Sequence, residues 1–148
     1  RSLLLFVGAL FMSSSVSAAD WKLVIHGGAG VIERSRMTPE KEREVRAGLD
    51  RALVAGSAVL ERGGSALDAV EAAVKVLEDD PNFNAGRGAV FTHEGRNELD
   101  ASIMDGRTRA AGAVAGISAT KNPISLARAV MEKSPHVFLS GTGADQFS

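Results

Sequence analysis

The sequence contains no cysteine, and this absence excludes several kinds of chemistry. Its 148 residues can form no disulfide, no zinc–thiolate site and no thiol nucleophile. A surplus of positive charge is also lacking, because 17 Lys and Arg residues are balanced by 18 Asp and Glu residues. The composition therefore provides no electrostatic basis for binding nucleic acid or an anionic membrane surface.

Common nucleotide-binding and hydrolase motifs are missing as well. A glycine-rich stretch runs from His26 to Gly30, but Glu33 stands where a dinucleotide fingerprint beginning at Gly28 requires glycine. Neither a Gly-Lys-Ser/Thr phosphate loop nor a Gly-x-Ser-x-Gly elbow occurs. The histidines follow no metal-binding spacing and are predicted to be structural: His26, His93 and His136.

The first 18 residues resemble a targeting segment rather than part of a fold. Leu3 to Met12 is apolar but too short to cross a bilayer as a helix. Val16-Ser17-Ala18 places small side chains where signal peptidase accepts them, so we expect cleavage after Ala18. A signal peptide over residues 1–18 predicts a periplasmic or secreted protein; a membrane anchor or a buried helix is the alternative.

The patterns that follow predict a strand and two helices. Trp21 to Ile25 is a short apolar run typical of a buried strand. Thr38-Pro39 provides an N-cap and a first helical residue, and Gly63-Gly64 ends that helix. Ser65 and Asp68 form a variant capping box at the start of a second helix, which stops before Pro81.

The rest of the chain alternates short strands with one helix. A hairpin, a further strand, a helix with Asn122 as N-cap and Pro123 at its first position, and a final strand are expected. The predicted strands are Ala89–His93, Leu99–Met104, Ala111–Ser118 and Val137–Leu139, with a turn at Gly141-Thr142-Gly143. This order predicts a layered α/β (α+β) domain over residues 19–148.

One loop has an unusual composition. Between Leu77 and Phe91 the chain places Asn82, Asn84, Gly86 and Gly88 in seven residues, all types that tolerate tight or left-handed backbone. Either a helix-to-strand connection or a rigid loop that positions a site explains this pattern. Three nearby carboxylates are interpreted as solvated hairpin charges: Glu98, Asp100 and Asp105.

Several motifs in register resemble one family. They are His26–Gly30, Asn82–Phe91 (NFNAGRGAVF), Glu98–Gly106 (ELDASIMDG), Ala111–Gly116 (AGAVAG), Asn122-Pro123 and Ser134–Val137 (SPHV). Each motif alone is weak, but their order and spacing from Trp21 onward resemble the plant-type asparaginase and isoaspartyl peptidase family of N-terminal-nucleophile hydrolases.

The resemblance implies a four-layer αββα sandwich and a precursor that cuts itself into α and β subunits, which pair as a dimer of αβ units. The N-terminal Thr of the β subunit would be the nucleophile, with its own α-amine as base. It would attack asparagine or an isoaspartyl peptide; an amine or ammonia would leave, and water would release aspartate. No catalytic cofactor is implied.

The resemblance also assigns roles to residues of this chain. Asn84 matches an Asn that lies near the nucleophile, and His26, Gly27, Gly28, Ala29 and Gly30 match a loop that supports self-cleavage. A structural Na+ would be bound by the backbone carbonyls of Leu77, Glu78, Asp80, Phe83, Ala85 and Arg87. The sequence to Ser148 does not include the expected nucleophile, so Thr142 is not assigned that role.

Residues 19–148 are therefore predicted to be an α-subunit segment without activity on its own. Two alternatives remain at this point. One is a relative that cleaves glycosyl-asparagine. The other is a non-enzymatic periplasmic domain that binds a small ligand or serves a structural role.

Overall fold

The computed structural model describes residues 21–28 and 33–148, where helices and strands form a mixed α+β fold as predicted. The predicted signal peptide, residues 1–18, lies outside the described residues, as do Ala29 and Gly30. Across the described part of the chain, no helix has the length and apolar character needed to span a membrane.

Two long helices form an antiparallel hairpin whose ends are fixed by local hydrogen bonds. Helix α1 is Pro39–Glu61, and the Thr38 hydroxyl accepts the Lys41 backbone N–H at its start. Its end has the Schellman pattern: Gly63 has φ of +77°, and the Gly63 and Gly64 N–H groups donate to carbonyls of the last turn. Helix α2 is Ala66–Asp79, and its capping box is complete. The caps predicted for these two helices are confirmed.

Small residues let the two helices approach closely. Gly48, Ala52 and Gly56 are the buried positions of α1, and Ala69, Ala73 and Leu77 lie buried on α2. Four buried apolar residues define what we call the hairpin cluster: Ala52, Ala73, Leu77 and Phe83. Only Phe83 comes from outside the helices, so the loop after α2 completes this core.

A three-stranded sheet follows in the order β1-β2-β3. Strand β1, Leu99–Met104, runs antiparallel to β2, Ala111–Ile117, with Ile103 opposite Gly112. Helix α3, Pro123–Lys133, crosses over to β3, Phe138–Ser140, which is parallel to β2. Helix α4, Gly141–Phe147, follows at once.

Helix α3 packs on one face of this sheet. The sheet cluster contains Ile103, Val114, Ile117, Ile124, Leu126, Ala127, Val130 and Ala144. A Cβ atom on Gly112 would lie 2.1 Å from the Ala127 carbonyl oxygen, so glycine is needed for the helix to lie this close. The opposite sheet face exposes Met104 (56%) and Phe138 (53%).

Two of the strands predicted from the sequence do not form. Trp21–Ile25 forms no strand, because among the described residues no strand offers it a ladder; Leu23 instead lies against Gly56, and Ile25 packs on the hairpin cluster. The predicted hairpin of Ala89–His93 with β1 is reduced to one bridge between Phe91 and Asn97. Strand β1 takes its hydrogen bonds from β2 instead.

The end of the chain also differs from prediction. Gly141-Thr142-Gly143, which was predicted to be a turn between elements, instead begins helix α4. The Asp145 carboxylate stabilises this short helix by accepting the N–H groups of Ser118 and Ala119 and the Ser118 hydroxyl, all within 3.2 Å. These contacts span 26 and 27 residues, which local patterns do not reveal.

Candidate functional site

The loop between α2 and β1 is anchored by its aromatic residue. Phe83 is only 4% exposed and belongs to the hairpin cluster. A Cβ atom on Gly48 would come within 2.6 Å of the Phe83 ring, and one on Gly27 within 3.2 Å. The two glycine-bearing stretches identified in the sequence therefore meet at Phe83.

A buried carboxylate fixes the loop to α1. Asp80 is 7% exposed, and its Oδ2 accepts a hydrogen bond of 2.6 Å from the Arg51 guanidinium. Its Oδ1 accepts both the backbone N–H and the side-chain amide of Asn82, each at 2.9 Å. The Asn82 amide oxygen in turn accepts from the Lys41 ammonium. Helix α1 thus contributes two cations that hold the first turn of the loop.

Backbone carbonyls lie close to the glycines of the loop. A Cβ atom on Gly88 would lie 2.1 Å from the Phe83 carbonyl oxygen and 2.8 Å from that of Pro81. On Gly86, whose φ is +46°, it would lie 2.5 Å from the Glu78 carbonyl oxygen. A side chain at either glycine would displace one of these carbonyls, and we call this group of carbonyls the carbonyl cradle.

The carbonyl cradle is chemically suited to a hard cation. The carbonyls of Leu77, Asp80, Phe83 and Ala85 each accept one N–H from within the loop or helix end. Each carbonyl oxygen has a second lone pair, so these bonds leave capacity for a cation. Within the described residues no group of three His, Cys, Asp or Glu side chains could bind a metal ion. The resemblance assigns Na+ to backbone carbonyls rather than to such side chains, and of its six residues Glu78 and Phe83 have carbonyls at these glycines.

The side chain of Glu78 has a role that the sequence analysis did not identify. Its side chain is 3% exposed, and Oε1 accepts the Ile124 backbone N–H at 2.9 Å in the first turn of α3. Oε2 accepts the side-chain amide of Asn122 at 3.0 Å. Burial raises the pKa of the Glu78 carboxyl, against the opposing effect of these two hydrogen bonds. Asn122 occupies the N-cap position but makes no side-chain cap, because Glu78 has that role.

Asn84 closes the loop on itself and faces outward. Its Oδ1 accepts the Val90 N–H at 3.0 Å, and the residue is exposed. The Asn97 side chain donates to the carbonyls of Ala89 and Val90, at 2.7 and 3.2 Å, which fixes the far end of the loop. A cavity of about 230 Å³ opens beside Asn84, and its wall includes Glu78 and Pro123.

Only part of the candidate self-cleavage loop is described. The His26 Nδ1 accepts the Gly28 N–H at 3.2 Å, and both residues are exposed. Gly27 approaches Leu49 and Phe83, so this segment lies beside the loop that carries Asn84. His93 and His136 are exposed elsewhere.

The three carboxylates interpreted as solvated charges are used differently. Asp100 accepts the Gly116 N–H at 2.8 Å where the ladder between β1 and β2 is irregular. Asp105 is partly buried and organises the turn between those strands, because it accepts hydrogen bonds from the Arg107 N–H and the Thr108 hydroxyl. The Arg107 N–H lowers the pKa of the Asp105 carboxyl. Glu98 and Asp100 are both exposed and line the cavity beside Asn84.

Known proteins resemble this chain over most of its length. The profile of the asparaginase family matches residues 19–148. The isoaspartyl peptidase of Salmonella typhimurium is 51% identical over 126 residues, which cover 85% of this chain and 40% of that protein. The plant-type L-asparaginase of Thermococcus kodakarensis is 55% identical with the same coverage.

The human isoaspartyl peptidase/L-asparaginase is 54% identical over 127 residues, again 85% of this chain and 40% of that protein. The chain thus spans about two fifths of the length of these curated relatives. The extent of the match and the motifs in register lead to one conclusion: this chain belongs to the plant-type asparaginase and isoaspartyl peptidase family.

Proposed function

We propose that this chain is the α-subunit portion of an exported, self-processing amidohydrolase that cleaves isoaspartyl peptides and L-asparagine. The observation that carries the proposal is the match of residues 19–148 to the asparaginase family, with over 50% identity to proteins named isoaspartyl peptidase. The loop with Asn84 lies within that match. The Asn84 side chain is fixed by the Val90 N–H, and the residue is exposed.

In this proposal the nucleophile is the N-terminal Thr of a β subunit, released when the precursor cuts itself. Its hydroxyl attacks the side-chain amide of asparagine or the β-linked peptide bond, and its α-amine takes the proton. Ammonia or an amine leaves with a proton, and water then hydrolyses the acyl-enzyme to free aspartate. The α and β subunits would assemble as a dimer of αβ units.

Asn84 would be the contribution of this chain to the chemistry. Its Oδ1 is engaged by the Val90 N–H, which fixes the orientation of the amide. The NH2 group is then directed outward, where it can donate to an oxygen atom of the nucleophilic residue or the substrate. The neighbouring segment that begins at His26 would support self-cleavage from the same side of the loop.

A structural Na+ is proposed for the carbonyl cradle. The carbonyls of Leu77, Glu78, Asp80, Phe83, Ala85 and Arg87 would hold it, and the ion would neutralise their converging dipoles. The chain itself orients these carbonyls through Phe83 and Asp80. Replacing NaCl with choline chloride is expected to lower the melting temperature of the complete protein; an unchanged melting temperature would refute the ion.

The complete gene product provides the main test. We expect it to appear as two fragments on a denaturing gel and to release aspartate from asparagine and from a β-aspartyl dipeptide. Asn84→Asp keeps the oxygen that accepts the Val90 N–H but removes the NH2 donor. We expect kcat to fall at least about tenfold, equivalent to about 1.4 kcal/mol of transition-state stabilisation. Full activity in Asn84→Asp would contradict the role of Asn84, and absence of hydrolysis by the wild type would refute the function.

A further inference from the structure

Glu78 combines a backbone contact under the loop with a buried side-chain contact to α3. Its backbone lies under the loop, since a Cβ atom on Gly86 would be 2.5 Å from the Glu78 carbonyl oxygen and 2.9 Å from the Glu78 Cβ. Its side chain reaches in the other direction, to the N-terminus of α3. One residue therefore joins the loop to the sheet through the helix that covers it.

We infer that Glu78 is a positioning residue, whose side chain fixes the loop carrying Asn84 relative to α3 and the sheet. The inference rests on the proposed function for the role of Asn84. It goes beyond the carbonyl site that the resemblance assigns to Na+, because it concerns the side-chain carboxylate of Glu78 and not its backbone.

The hydrogen bonds explain why the side chain has to be an acceptor. Pro123 at the first position of α3 has no N–H, so Ile124 presents the first donor of the helix in a buried position. Glu78 Oε1 satisfies that donor at 2.9 Å, and Oε2 satisfies the Asn122 amide. The negative charge also lies at the positive end of the α3 dipole. Without this acceptor, a buried N–H would lose its partner.

The contact has a direct consequence for the candidate site. Glu78 and Pro123 both line the cavity beside Asn84, so a change in their separation alters the wall against which Asn84 is placed. Asp80 and Phe83 fix the loop only to the helical hairpin. Glu78 is a buried connection from the loop to the sheet side, and the exposed Asp79 beside it accepts hydrogen bonds from Lys121 and Asn122.

The chain provides a matched control on the same helix. Glu71 lies seven residues before Glu78, so the two side chains are on one face of α2. Glu71 also bonds to α3, through the Ser125 hydroxyl at 2.6 Å and Arg128 at 2.8 Å. It is two turns away from the loop, so Glu71→Ala weakens the contact between helices without touching the loop.

Hydrogen exchange on the complete protein tests the inference. We expect Glu78→Ala to accelerate exchange of the loop amides that are bonded within the loop, at Phe83, Ala85 and Gly88, by about tenfold or more. Glu71→Ala is expected to leave those rates near wild type. Glu78→Gln should restore most of the protection, because its oxygen can accept the Ile124 N–H while the Asn122 amide turns to accept the new NH2. Wild-type exchange in Glu78→Ala, equal acceleration in Glu71→Ala, or no rescue by Gln would each overturn the inference.

Kinetics separate this inference from the proposed function. We expect Glu78→Ala to lower kcat about tenfold with a smaller change in KM, because Asn84 shifts while substrate-binding groups of the β subunit remain. A larger effect on KM than on kcat would contradict the positioning role. If the wild type hydrolyses neither substrate, the proposed function fails, and the exchange comparison of the Ala variants still decides whether Glu78 fixes the loop.

Discussion

The hairpin cluster and the sheet cluster differ in the number and size of the side chains that they bury. The hairpin cluster has four buried residues, two of them alanine, and brings its helices together on small side chains. The sheet cluster has eight, most of them branched aliphatic residues, under a helix that approaches the sheet backbone at Gly112. The hairpin cluster therefore has only two large buried residues, Leu77 and the loop residue Phe83, whereas the sheet cluster spreads its apolar area over many.

Leu67 and Val74 of α2 pack against the sheet cluster, and a set of polar contacts joins the same helix to α3. Asp68, Glu71 and Glu78 of α2 receive hydrogen bonds from Ile124, Ser125 and Arg128 of α3, and we call this set the polar bridge. Directional contacts of this kind fix a distance and a rotation, which apolar packing alone specifies less sharply. The loop with Asn84 lies at one end of the polar bridge, so these contacts help to fix the position of the candidate site.

Phe83→Ala is expected to have the largest effect. It removes the largest side chain of the hairpin cluster and leaves a cavity that small neighbours cannot fill, so unfolding free energy should fall by about 3–5 kcal/mol. Urea denaturation of the complete protein measures this loss. As a control, Val130→Ala in the sheet cluster should have a smaller effect, because Val is smaller and its neighbours are numerous; an equal or larger loss there would contradict the comparison.

Gly112→Ala is expected to come next. The new Cβ would meet backbone atoms of α3, 2.1 Å from the Ala127 oxygen and 2.6 Å from the Met131 nitrogen, so the helix has to move away. We expect a loss of about 2–3 kcal/mol in unfolding free energy. Gly48→Ala meets side-chain atoms of Phe83 and Asp80 instead, and alanine favours the helix by about 0.5–1 kcal/mol, so its loss should be smaller. The reverse order in thermal unfolding would refute this account.

Arg128→Met tests the polar bridge. Arg128 donates to Asp68, Glu71 and Glu132, and the Glu132 carboxylate is the main reason that its pKa is raised. Methionine keeps the apolar stem but leaves the partly buried Glu71 without its cation, which we expect to reduce stability by about 1–2 kcal/mol. Lys75→Met, which removes an exposed cation from α2, the helix that carries Glu71, is the control. Equal effects of both variants on the urea midpoint would show that the bridge contributes nothing specific.

Asp145→Asn should have the smallest effect, visible mainly as a change with pH. The Ala119 N–H, and then the Ser118 N–H and hydroxyl, lower the pKa of the Asp145 carboxyl from 3.8. A lowered folded-state pKa contributes stability above the unfolded value, and this contribution is lost as the pH falls through the folded value. The melting-temperature difference between wild type and Asp145→Asn should therefore shrink between about pH 5 and pH 2. A difference that is constant or grows toward acid pH would contradict the assignment.

Local features of the fold could be predicted from the sequence because their causes are local. The caps at Thr38 and Ser65 and the glycine end of α1 involve partners within a few residues, and all three are as expected. The motifs in register also identified the family that the profile and the relatives show.

Other features depend on partners that are distant in the chain. The cap of α3 comes from Glu78, 46 residues away, so the local pattern at Asn122 suggested the wrong side chain. Gly141-Thr142-Gly143 has a turn composition, but Asp145 and the loop after β2 stabilise it as a helix. Trp21–Ile25 has the composition of a strand without a strand to pair with in the described residues. The hydrophobic pattern of a sequence is a better guide to which residues are buried than to the hydrogen bonds that distant residues make.

The polar bridge has a consequence for the order of folding. Helices α1 and α2 are joined by four residues, and β1 and β2 by six, so each pair can form from contacts that are near in the chain. The hydrogen bonds of the bridge close loops of 46 to 60 residues and need both pairs in place first. We therefore expect the bridge to form late, so that the loop with Asn84 reaches its final position only after both halves of the chain have folded.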